Sequence, residues 1–323
     1  MAASPRVCAL VVTYNRAALL ADALDAVAAQ TRVPDAVVVL DNASTDATAE
    51  VLAARPTVAG VDLVVVRWDV NTGAAGGVAL GLAEVAARGP WDWVWVMDDD
   101  VRPAPDVLER LLAADALARP DTVAVTPLKV GDDGIVQAMH AGTYDLARMR
   151  HRPQALPETP LPDGASIEVG YVSFVGVLVR ADVAARERPR ADFFLVHDDL
   201  EWALRLRRHG RLYLVPGAVV EHRDTAASPD LRVVRGRLVR TRGYWRAYYA
   251  LRNRLLIHRA HARGLARVLG HASALGILVR GLANSAVRYA APHRRRRVRL
   301  LVRGYLDGLA GRSGKTVDPA THA

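Results

Sequence analysis

Apolar and polar positions alternate in blocks along the first part of the chain. Short apolar runs predict strands at residues 7–14, 36–40, 61–66, 91–97 and 122–125. The segments between them have the longer apolar spacing of helices and predict helices at residues 17–29, 44–54, 73–88 and 105–117. Continuous apolar strands that alternate with helices are typical of a mainly parallel sheet covered on both faces. We therefore expect an α/β fold.

The pattern changes after this alternation. Residues 131–165 are rich in Gly, Pro and charge and predict irregular structure, whereas residues 171–179, 193–196, 212–215 and 218–220 predict strands and 200–209 a helix. Beyond Leu231 the pattern is helical and rich in arginine. We predict a catalytic domain over residues 1–230, with halves at about 1–130 and 131–230, followed by a basic helical region over 231–323.

Charge is distributed unevenly. The net charge is +9 over 323 residues, but the segment from Leu231 onward holds 21 Lys and Arg against 2 Asp and Glu. The part before it is acidic. A basic segment of this kind attracts anionic lipid headgroups or nucleic-acid phosphates. The lone Cys8 excludes an intramolecular disulfide and a cysteine-based zinc site. With neither a signal peptide nor a long uncharged apolar stretch in view, we expect a cytoplasmic location.

Three acids follow the predicted strand at residues 91–97, namely Asp98, Asp99 and Asp100. Because strand side chains alternate between faces, Asp98 and Asp100 are expected to point the same way. Carboxylates at the carboxyl end of a strand suit a hard divalent cation, in the region where α/β sheets bind ligands. The competing interpretation is a solvated acidic loop that caps the next helix.

A second acidic cluster, His197-Asp198-Asp199-Leu200-Glu201-Trp202, precedes a predicted helix. An Asp in the first turn is often only a cap. Neighbouring carboxylates raise one another's pKa, which improves proton acceptance near neutral pH, so a general base site is the functional interpretation. His222, at the end of the last short strand, is a candidate metal ligand, although a lone His is usually structural.

The loops after the other strands are polar but do not match nucleotide-binding fingerprints. The first strand lacks a following Gly-x-Gly-x-x-Gly, so a dinucleotide-binding Rossmann motif is excluded at that position. The glycines of Asn71-Thr72-Gly73-Ala74-Ala75-Gly76-Gly77 permit either close approach to a diphosphate or a simple turn. Asp41 lies where a carboxylate could accept a hydrogen bond from a base, whereas Ser44–Asp46 reads as a helix cap.

Six motifs in this order resemble the family 2 inverting glycosyltransferases with the GT-A fold. Within them the chain is most similar to actinobacterial galactofuranosyl- and rhamnosyltransferases of cell-wall synthesis. The segment Tyr248-Tyr249-Ala250-Leu251-Arg252-Asn253 also resembles the galactofuranosyltransferase subgroup. The six motifs are Thr-Tyr-Asn-Arg (13–16), Asp-Asn-Ala-Ser-Thr-Asp (41–46), Asn-Thr-Gly-Ala-Ala-Gly-Gly (71–77), Asp-Asp-Asp (98–100), His-Asp-Asp-Leu-Glu-Trp (197–202) and Glu-His-Arg-Asp (221–224).

The resemblance implies a role for each site residue. Asp199 would be the catalytic base beside Asp198, and Glu201 would position the acceptor. A Mn²⁺ or Mg²⁺ ion would be held by Asp98, Asp100 and His222. The donor, a UDP- or dTDP-sugar, would be bound by Thr13, Asn15 and Asp41 at the nucleoside, by Asn71, Gly76 and Gly77 near the diphosphate or sugar, and by Asp99 near the ribose or sugar.

These roles predict transfer of a sugar, with galactofuranose favoured, from a nucleotide-sugar to a glycan or a polyprenyl-diphosphate-linked acceptor. Rhamnose from dTDP-rhamnose is the alternative. The basic region would lie on the anionic inner face of the cell membrane, or its helices would simply have solvated arginine-rich faces. A nucleic-acid-binding protein, a nucleotidyltransferase and a noncatalytic sugar-nucleotide binder are the competing classes; the first matches no known module and leaves the acidic strand ends unexplained.

Overall fold

The computed structural model describes residues 4–159, 161–223, 231–234, 237–240, 243–289 and 291–319. It forms two compact units. The first comprises Met1–Thr143, Arg152–Ala191 and Asp199–Ala226, and the second comprises Tyr144–His151, Asp192–Asp198 and Ala227–Ala323. Asp224, the last residue of the sixth motif, and the expected boundary at residue 230 lie outside the described residues.

The first unit is built on a ten-stranded sheet with helices on both sides, which confirms the expected α/β fold. The strand order is β10-β13-β7-β12-β5-β1-β2-β4-β3, and β6 pairs with β13. The strands in chain order are β1 Val7–Thr13, β2 Ala36–Asn42, β3 Thr57–Val58, β4 Val61–Trp68, β5 Trp93–Asp98, β6 Val101–Pro103, β7 Thr122–Val130, β8 Ala141–Asp145, β9 Arg150–Pro153, β10 Ile167–Val169, β11 Tyr171–Val172, β12 Val177–Arg180 and β13 Arg211–His222. Of these, β8, β9 and β11 form a separate three-stranded sheet in the order β11-β8-β9.

Most of the long strands of this sheet run in one direction. β1 is parallel to β2 and to β5, β2 is parallel to β4, and β13 is parallel to β7. β12 is antiparallel to both β5 and β7, so β5 and β7 also share a direction. The carboxyl ends of β1, β2, β4, β5, β7 and β13 therefore meet at one edge of the sheet, which is where ligands bind in open α/β folds.

Helices cover the sheet and close its core. The helices of the first unit are α1 Ala17–Ala28, α2 Thr48–Ala53, α3 Gly73–Ala87, α4 Val107–Leu112, α5 Ala181–Arg186 and α6 Asp198–Leu206, of which the first residue belongs to the second unit. Every residue of β1 is buried, as expected for a central strand of a doubly covered sheet. Residues of α1 and α4 pack with β1, β2, β5 and β13 in one hydrophobic core.

Several predicted elements differ from the structure. Residues 131–165 were expected to be irregular but contain β8 and β9, and 171–179 divides into β11 and β12. The two strands expected at 212–215 and 218–220 are one bulged strand, β13. α2 begins at Thr48, whose backbone amide donates to Asp46 Oδ1 at 3.1 Å, so neither Ser44 nor Thr45 caps it. The helix expected at 105–117 ends at Leu112 and continues only as a 3-10 turn, Asp115–Ala118.

The second unit is mainly helical. It contains α7 Trp245–His261, α8 Gly264–Arg288 and α9 Ala291–Leu309, which confirms the expected C-terminal helices. A two-stranded hairpin, β14 Leu231–Val234 and β15 Arg237–Arg240, precedes them. The helical structure expected directly after Leu231 is therefore wrong for this segment. By length and composition alone, Gly264–Val287 of α8 could cross a membrane, because an 18-residue window within it has a mean hydropathy of 1.3.

Candidate functional site

Asp99 and Asp100 lie together in the turn after β5. Arg16 Nη1 lies 3.3 Å from Asp99 Oδ1 and also contacts Asp100 Oδ2. β5 ends at Asp98, so the strand alternation that would point Asp98 and Asp100 the same way does not continue to Asp100. The chain turns at Asp99 and Asp100, so the strand geometry gives no reason for Asp98 and Asp100 to point the same way.

Asp99 is bound by the loop after β1. Thr13 Oγ1 donates to Asp99 Oδ2 at 2.8 Å, and the backbone amide of Tyr14 donates to the same oxygen at 3.3 Å. Burial raises the pKa of Asp99 to about 6, while the charge of Arg16 opposes this rise. These contacts connect the carboxyl ends of β1 and β5, two regions that were both expected to face the donor.

Asp100 and His222 form the pair that fits a metal ion. Asp100 Oδ1 lies 3.6 Å from His222 Nε2. That oxygen is buried and has no hydrogen-bond partner among the described residues, which is unusual for a carboxylate oxygen. A divalent cation would satisfy it, because hard cations prefer oxygen ligands and accept imidazole nitrogen as well.

Gln137 orients the imidazole for this role. Its side-chain amide nitrogen donates to the backbone carbonyl of His222 at 3.1 Å, so its Oε1 is directed at Nδ1, 2.7 Å away. Oε1 can only accept, so the proton of this hydrogen bond is on Nδ1, and Nε2 faces Asp100. Such a second hydrogen bond is the usual way in which a metal-binding His is oriented. The sequence analysis did not identify Gln137.

Asp98, the third expected metal ligand, is half-buried at the end of β5. Across the described ranges, no three or more His, Cys, Asp and Glu side chains form a group that could hold a metal ion. Asp98 is therefore not assembled with Asp100 and His222 in this structure. A two-residue set still suits Mn²⁺ or Mg²⁺ in a site where a diphosphate and water supply the remaining ligands.

The polar loop residues after β1 and β2 form one network. Asn15 Oδ1 accepts from the backbone amide of Thr45 at 2.6 Å. Asp41 is buried; its Oδ1 accepts from the Ser44 amide at 2.8 Å, and its Oδ2 lies 3.0 Å from Arg67 Nη1. Each carboxylate oxygen can accept a second hydrogen bond, so these contacts position Asp41 without using its full capacity.

Asn42 organises the loop after β4 and was not identified from the sequence. Its Oδ1 accepts from the backbone amide of Thr72 at 3.0 Å, and its Nδ2 donates to the carbonyl of Gly73 at 3.1 Å. Asn71 Oδ1 accepts from the amide of Gly73 at 2.8 Å. The backbone at the start of α3 is therefore fixed by two asparagine side chains.

Gly76 and Gly77 are required by packing. A Cβ on Gly77 would lie 2.7 Å from Val12 Cγ1, and one on Gly76 would lie 2.4 Å from Thr72 Cβ. At Gly77, α3 thus approaches β1 too closely for a side chain, whereas at Gly76 the space is taken by Thr72, the residue before α3. Gly76 also borders a cavity of about 560 Å³ in the first unit that Arg186, Arg188 and Arg205 help to line.

The candidate base lies at the start of α6. Asp199 is partly exposed, and its Oδ1 accepts from the backbone amide of Leu200 at 2.7 Å. Burial raises the pKa of Asp199 to about 6, and the charge of Lys129 opposes this rise. Lys129 is buried at the end of β7, where desolvation lowers its pKa to about 7 and the charge of Asp199 opposes that lowering. Lys129 was not among the expected site residues, because the strand that forms β7 was predicted to end at Val125.

The other two acids of this cluster are more enclosed. Glu201 is buried and pairs with Arg205, whose Nη2 lies 2.9 Å from Glu201 Oε2. Arg205 also pairs with Glu187 at 2.6 Å. Asp198 is buried at the start of α6. The partly exposed Asp199 is thus the member of the cluster with most access for an acceptor hydroxyl.

The segment before Asp198 is a strained loop and not the strand expected at residues 193–196. Phe194, Val196 and His197 have φ values of 66, 68 and 64°, a conformation that costs about 1–2 kcal/mol for each residue with a side chain. Asn253 on α7 holds the loop: its Nδ2 donates to the carbonyls of Phe193, Leu195 and Val196 at 3.1, 2.9 and 2.7 Å.

Arg252 adds to this clamp within the second unit. It is completely buried, and its Nη2 donates to the carbonyl of Phe193 at 2.9 Å. Its guanidinium also stacks 4.6 Å from the ring centroid of Tyr249. The only signal for these residues in the sequence was the resemblance of the segment at 248–253.

Comparison with known proteins shows which family the chain belongs to. A sequence model of the family described as Glycosyl transferase family 2 matches residues 8–179. The chain is 34% identical over 207 residues to galactofuranosyltransferase GlfT1 of Mycolicibacterium smegmatis, which covers 63% of this chain and 66% of that protein. The chain therefore spans just under two thirds of the length of this relative.

Solved structures share the fold at low sequence identity. The structure of GalNAc-T7 with UDP, GalNAc and Mn²⁺ has a TM-score of 0.62 at 11% identity, and covers 96% of this chain and 57% of that one. The mannosyltransferase PcManGT from Pyrobaculum calidifontis, solved with GDP-Man and Mn²⁺, has a TM-score of 0.55 at 19% identity, and covers 95% and 88%. The fold and the family match together lead to one conclusion: this chain belongs to glycosyl transferase family 2.

Proposed function

We propose that this chain is a metal-dependent inverting glycosyltransferase that moves galactofuranose from a UDP-sugar to a glycan or lipid-linked acceptor in cell-wall or polysaccharide synthesis. The observation that supports it most is the buried Asp100 Oδ1 at the carboxyl edge of the sheet, which faces His222 Nε2 and has no hydrogen-bond partner among the described residues. The 34% identity to a galactofuranosyltransferase favours galactofuranose as the transferred sugar.

The donor would lie across the carboxyl ends of β1, β2, β4 and β5. Thr13, Asn15 and Asp41 would hold the nucleoside, and Asn71 with the start of α3 would border the diphosphate or sugar. Asp99 would face the ribose or sugar. Asp100 and His222, with Asp98 as a further candidate, would hold a Mn²⁺ or Mg²⁺ ion, which would neutralise the charge that develops on the diphosphate leaving group.

The reaction proposed is a single displacement at the anomeric carbon. Asp199 accepts the proton of the acceptor hydroxyl as that oxygen bonds to the anomeric carbon and the bond to the diphosphate oxygen breaks. One displacement inverts the anomeric configuration. Glu201, fixed by Arg205, would position the acceptor, and Asp198 would contribute to the negative field around the base.

The pH dependence of this reaction should depend on Lys129, whose charge lowers the pKa of Asp199. Asp199 can accept a proton only when it is ionised, so the transfer rate should rise with pH through about 6. Lys129 lowers the pKa of Asp199, so Lys129→Met should raise this pKa and move the rising limb of the rate profile to higher pH. The measurement is the pH profile of kcat for both proteins. A limb at the same pH in the variant would contradict the coupling of these two groups.

Asn253 should maintain the loop that leads into Asp199. Asn253→Ala removes a donor from three carbonyls. The carbonyl of Phe193 keeps its bond from Arg252, but the part-buried carbonyls of Leu195 and Val196 lose a partner, at a cost of up to about 1–3 kcal/mol each. We expect lower stability to urea together with a lower kcat. Glu50→Ala is the control, because Glu50 is exposed on α2 and belongs to none of the sites described. Equal stability of both variants would show that the clamp contributes little.

A transfer assay tests the proposal as a whole. Purified protein with Mn²⁺ and a membrane lipid extract as acceptor is supplied with UDP-galactofuranose or dTDP-rhamnose, and products are identified by mass spectrometry. We expect addition of a hexose from the UDP-sugar. Addition of a deoxyhexose instead would establish the rhamnosyltransferase alternative, and transfer from neither donor by the folded protein would contradict the proposal.

We also propose that the basic second unit contacts the anionic inner face of the cell membrane. The exposed arginines Arg294 and Arg295 at the start of α9 support this contact. A peripheral position of this kind would bring the enzyme to a lipid-linked acceptor while leaving nucleotide-sugars accessible from the cytoplasm.

A further inference from the structure

The second unit contains an open cavity of about 510 Å³, and its lining includes none of the residues assigned to the donor, metal or base. Its polar lining comes from two segments of the chain, the β8–β9 region and the helices α7 and α8. The residues that matter are Arg148, Arg150, Arg254, Ser273, Arg280 and Asn284.

The charge on this cavity is largely uncompensated. Arg148 pairs with Asp145 at 3.1 Å. Within the part of the chain that the structure describes, no carboxylate pairs with Arg150, Arg254 or Arg280, and the buried Nε of Arg254 has no acceptor. Burial lowers the pKa of Arg254, but arginine keeps its proton in proteins. A desolvated cation without a partner is unfavourable, so the cavity is suited to an anion.

Phosphate is the anion that this lining fits best. Guanidinium groups bind phosphate oxygens through paired N–H donors, and three of them can neutralise a phosphate from several sides. Asn284 adds a neutral hydrogen-bond donor, whereas the Ser273 hydroxyl already donates to the carbonyl of Ala147 at 2.7 Å. The cavity volume of about 510 Å³ accommodates a phosphate with a small organic group attached.

α8 links this cavity to an apolar surface. Ser273, Arg280 and Asn284 face the cavity, while Leu265 and Val268 on the same helix have side chains 71% and 68% exposed. At 3.6 residues per turn the two sets fall on adjoining faces of the helix. The exposed apolar set consists of Leu265, Val268, Leu269, Leu275, Val279 and Val287.

We propose that the arginine cavity binds the phosphate of an anionic membrane phospholipid while the apolar face of α8 lies against its acyl chains. An apolar face beside cationic side chains is the arrangement by which helices lie in the plane of a membrane surface. The inference rests on the membrane contact proposed above and is independent of sugar transfer, because it uses none of the donor, metal or base residues.

The test uses Arg150→Gln with Arg280→Gln in the full chain. Both side chains are exposed, so the variant should fold. Binding is measured by flotation with vesicles of phosphatidylcholine alone or in equal parts with phosphatidylglycerol. The matched control is Arg102→Gln with Arg207→Gln, which removes the same charge from exposed positions of the first unit that are not assigned to the membrane contact. We expect the affinity of the cavity variant for the anionic vesicles to fall at least about tenfold. The fall in affinity of the control should be several-fold smaller.

Equal losses in the two variants would overturn the proposal, because they would show a diffuse basic surface and no specific site. A second variant, Leu265→Gln with Val268→Gln, tests the apolar face and should weaken vesicle binding while leaving binding of soluble glycerol 3-phosphate unchanged. Binding of inorganic phosphate or glycerol 3-phosphate as tight as that of vesicles would assign the cavity to a soluble ligand.

Two further measurements distinguish a lipid site at the membrane surface from a membrane-spanning α8 and from the nucleotide site. Protein bound to vesicles should be released by alkaline carbonate, and retention would show that α8 spans the bilayer, which overturns the surface placement. Titration with UDP and Mn²⁺ should be unchanged in the cavity variant. Loss of vesicle binding with intact nucleotide binding supports the lipid site, whether or not the proposed sugar transfer is found.

Discussion

Asp199→Asn is expected to lower kcat by about 10²–10⁴-fold and to leave the affinity for the nucleotide-sugar donor unchanged. The amide cannot accept the proton of the acceptor hydroxyl, whereas its size and its hydrogen bond from the Leu200 amide are close to those of the acid. The measurement is steady-state transfer with saturating donor, together with calorimetric titration of the donor nucleotide.

Asp62→Asn serves as the control for this substitution. Asp62 lies exposed on β4 and has none of the contacts of the candidate site, so it should retain full activity. Wild-type activity in the Asp199 variant would contradict the assignment of the base. An equal loss of nucleotide affinity and turnover would show that Asp199 binds the donor and does not accept the proton.

Asp100→Asn is expected to lower metal-dependent transfer by about a hundredfold or more. The carboxylate Oδ1 is the buried oxygen that faces His222, and an amide there is a weaker ligand for a divalent cation. Loss of the cation removes several kcal/mol of charge stabilisation at the leaving group. Transfer is measured over a range of Mn²⁺ concentrations, and binding of Mn²⁺ is followed separately by electron paramagnetic resonance.

The exposed Asp163 provides a matched carboxylate for comparison. Its side chain is fully exposed, so Asp163→Asn should bind Mn²⁺ and transfer sugar as the wild type does. Unchanged Mn²⁺ affinity in the Asp100 variant would contradict the metal assignment. His222→Ala should show the same loss of Mn²⁺ binding, because Gln137 orients the imidazole nitrogen towards Asp100.

The sheet was predictable because its signal is local. Continuous apolar runs such as β1 and β2 bury both faces, and the polar residues that follow each run mark the carboxyl edge where ligands bind. The same reasoning identified Asp99, Asp100 and His222 as candidates, whereas Asp199 was identified from the acidic cluster at residues 197–202. The resemblance supplied their expected roles, which the apolar pattern alone does not determine.

What sequence reasoning missed depends on contacts between distant residues. Residues 193–196 are as apolar as a strand, but Asn253 on α7 binds three of their carbonyl groups and keeps them in a loop. Gln137 and Lys129 carry no distinctive motif, and they gain their importance only from the positions of His222 and Asp199. The hairpin of β14 and β15 was not predicted either, because the spacing of apolar residues in this arginine-rich region is mainly that of helices.

The most direct test of the proposed function is calorimetric titration of the purified protein with UDP and dTDP, each with and without Mn²⁺. We predict that UDP binds in the presence of Mn²⁺ and that its affinity is lower without Mn²⁺. We also predict that UDP binds more tightly than dTDP. A preference for dTDP would move the donor assignment to rhamnose. Absence of binding by either nucleotide to the folded protein would contradict the donor and metal site proposed at the carboxyl edge of the sheet.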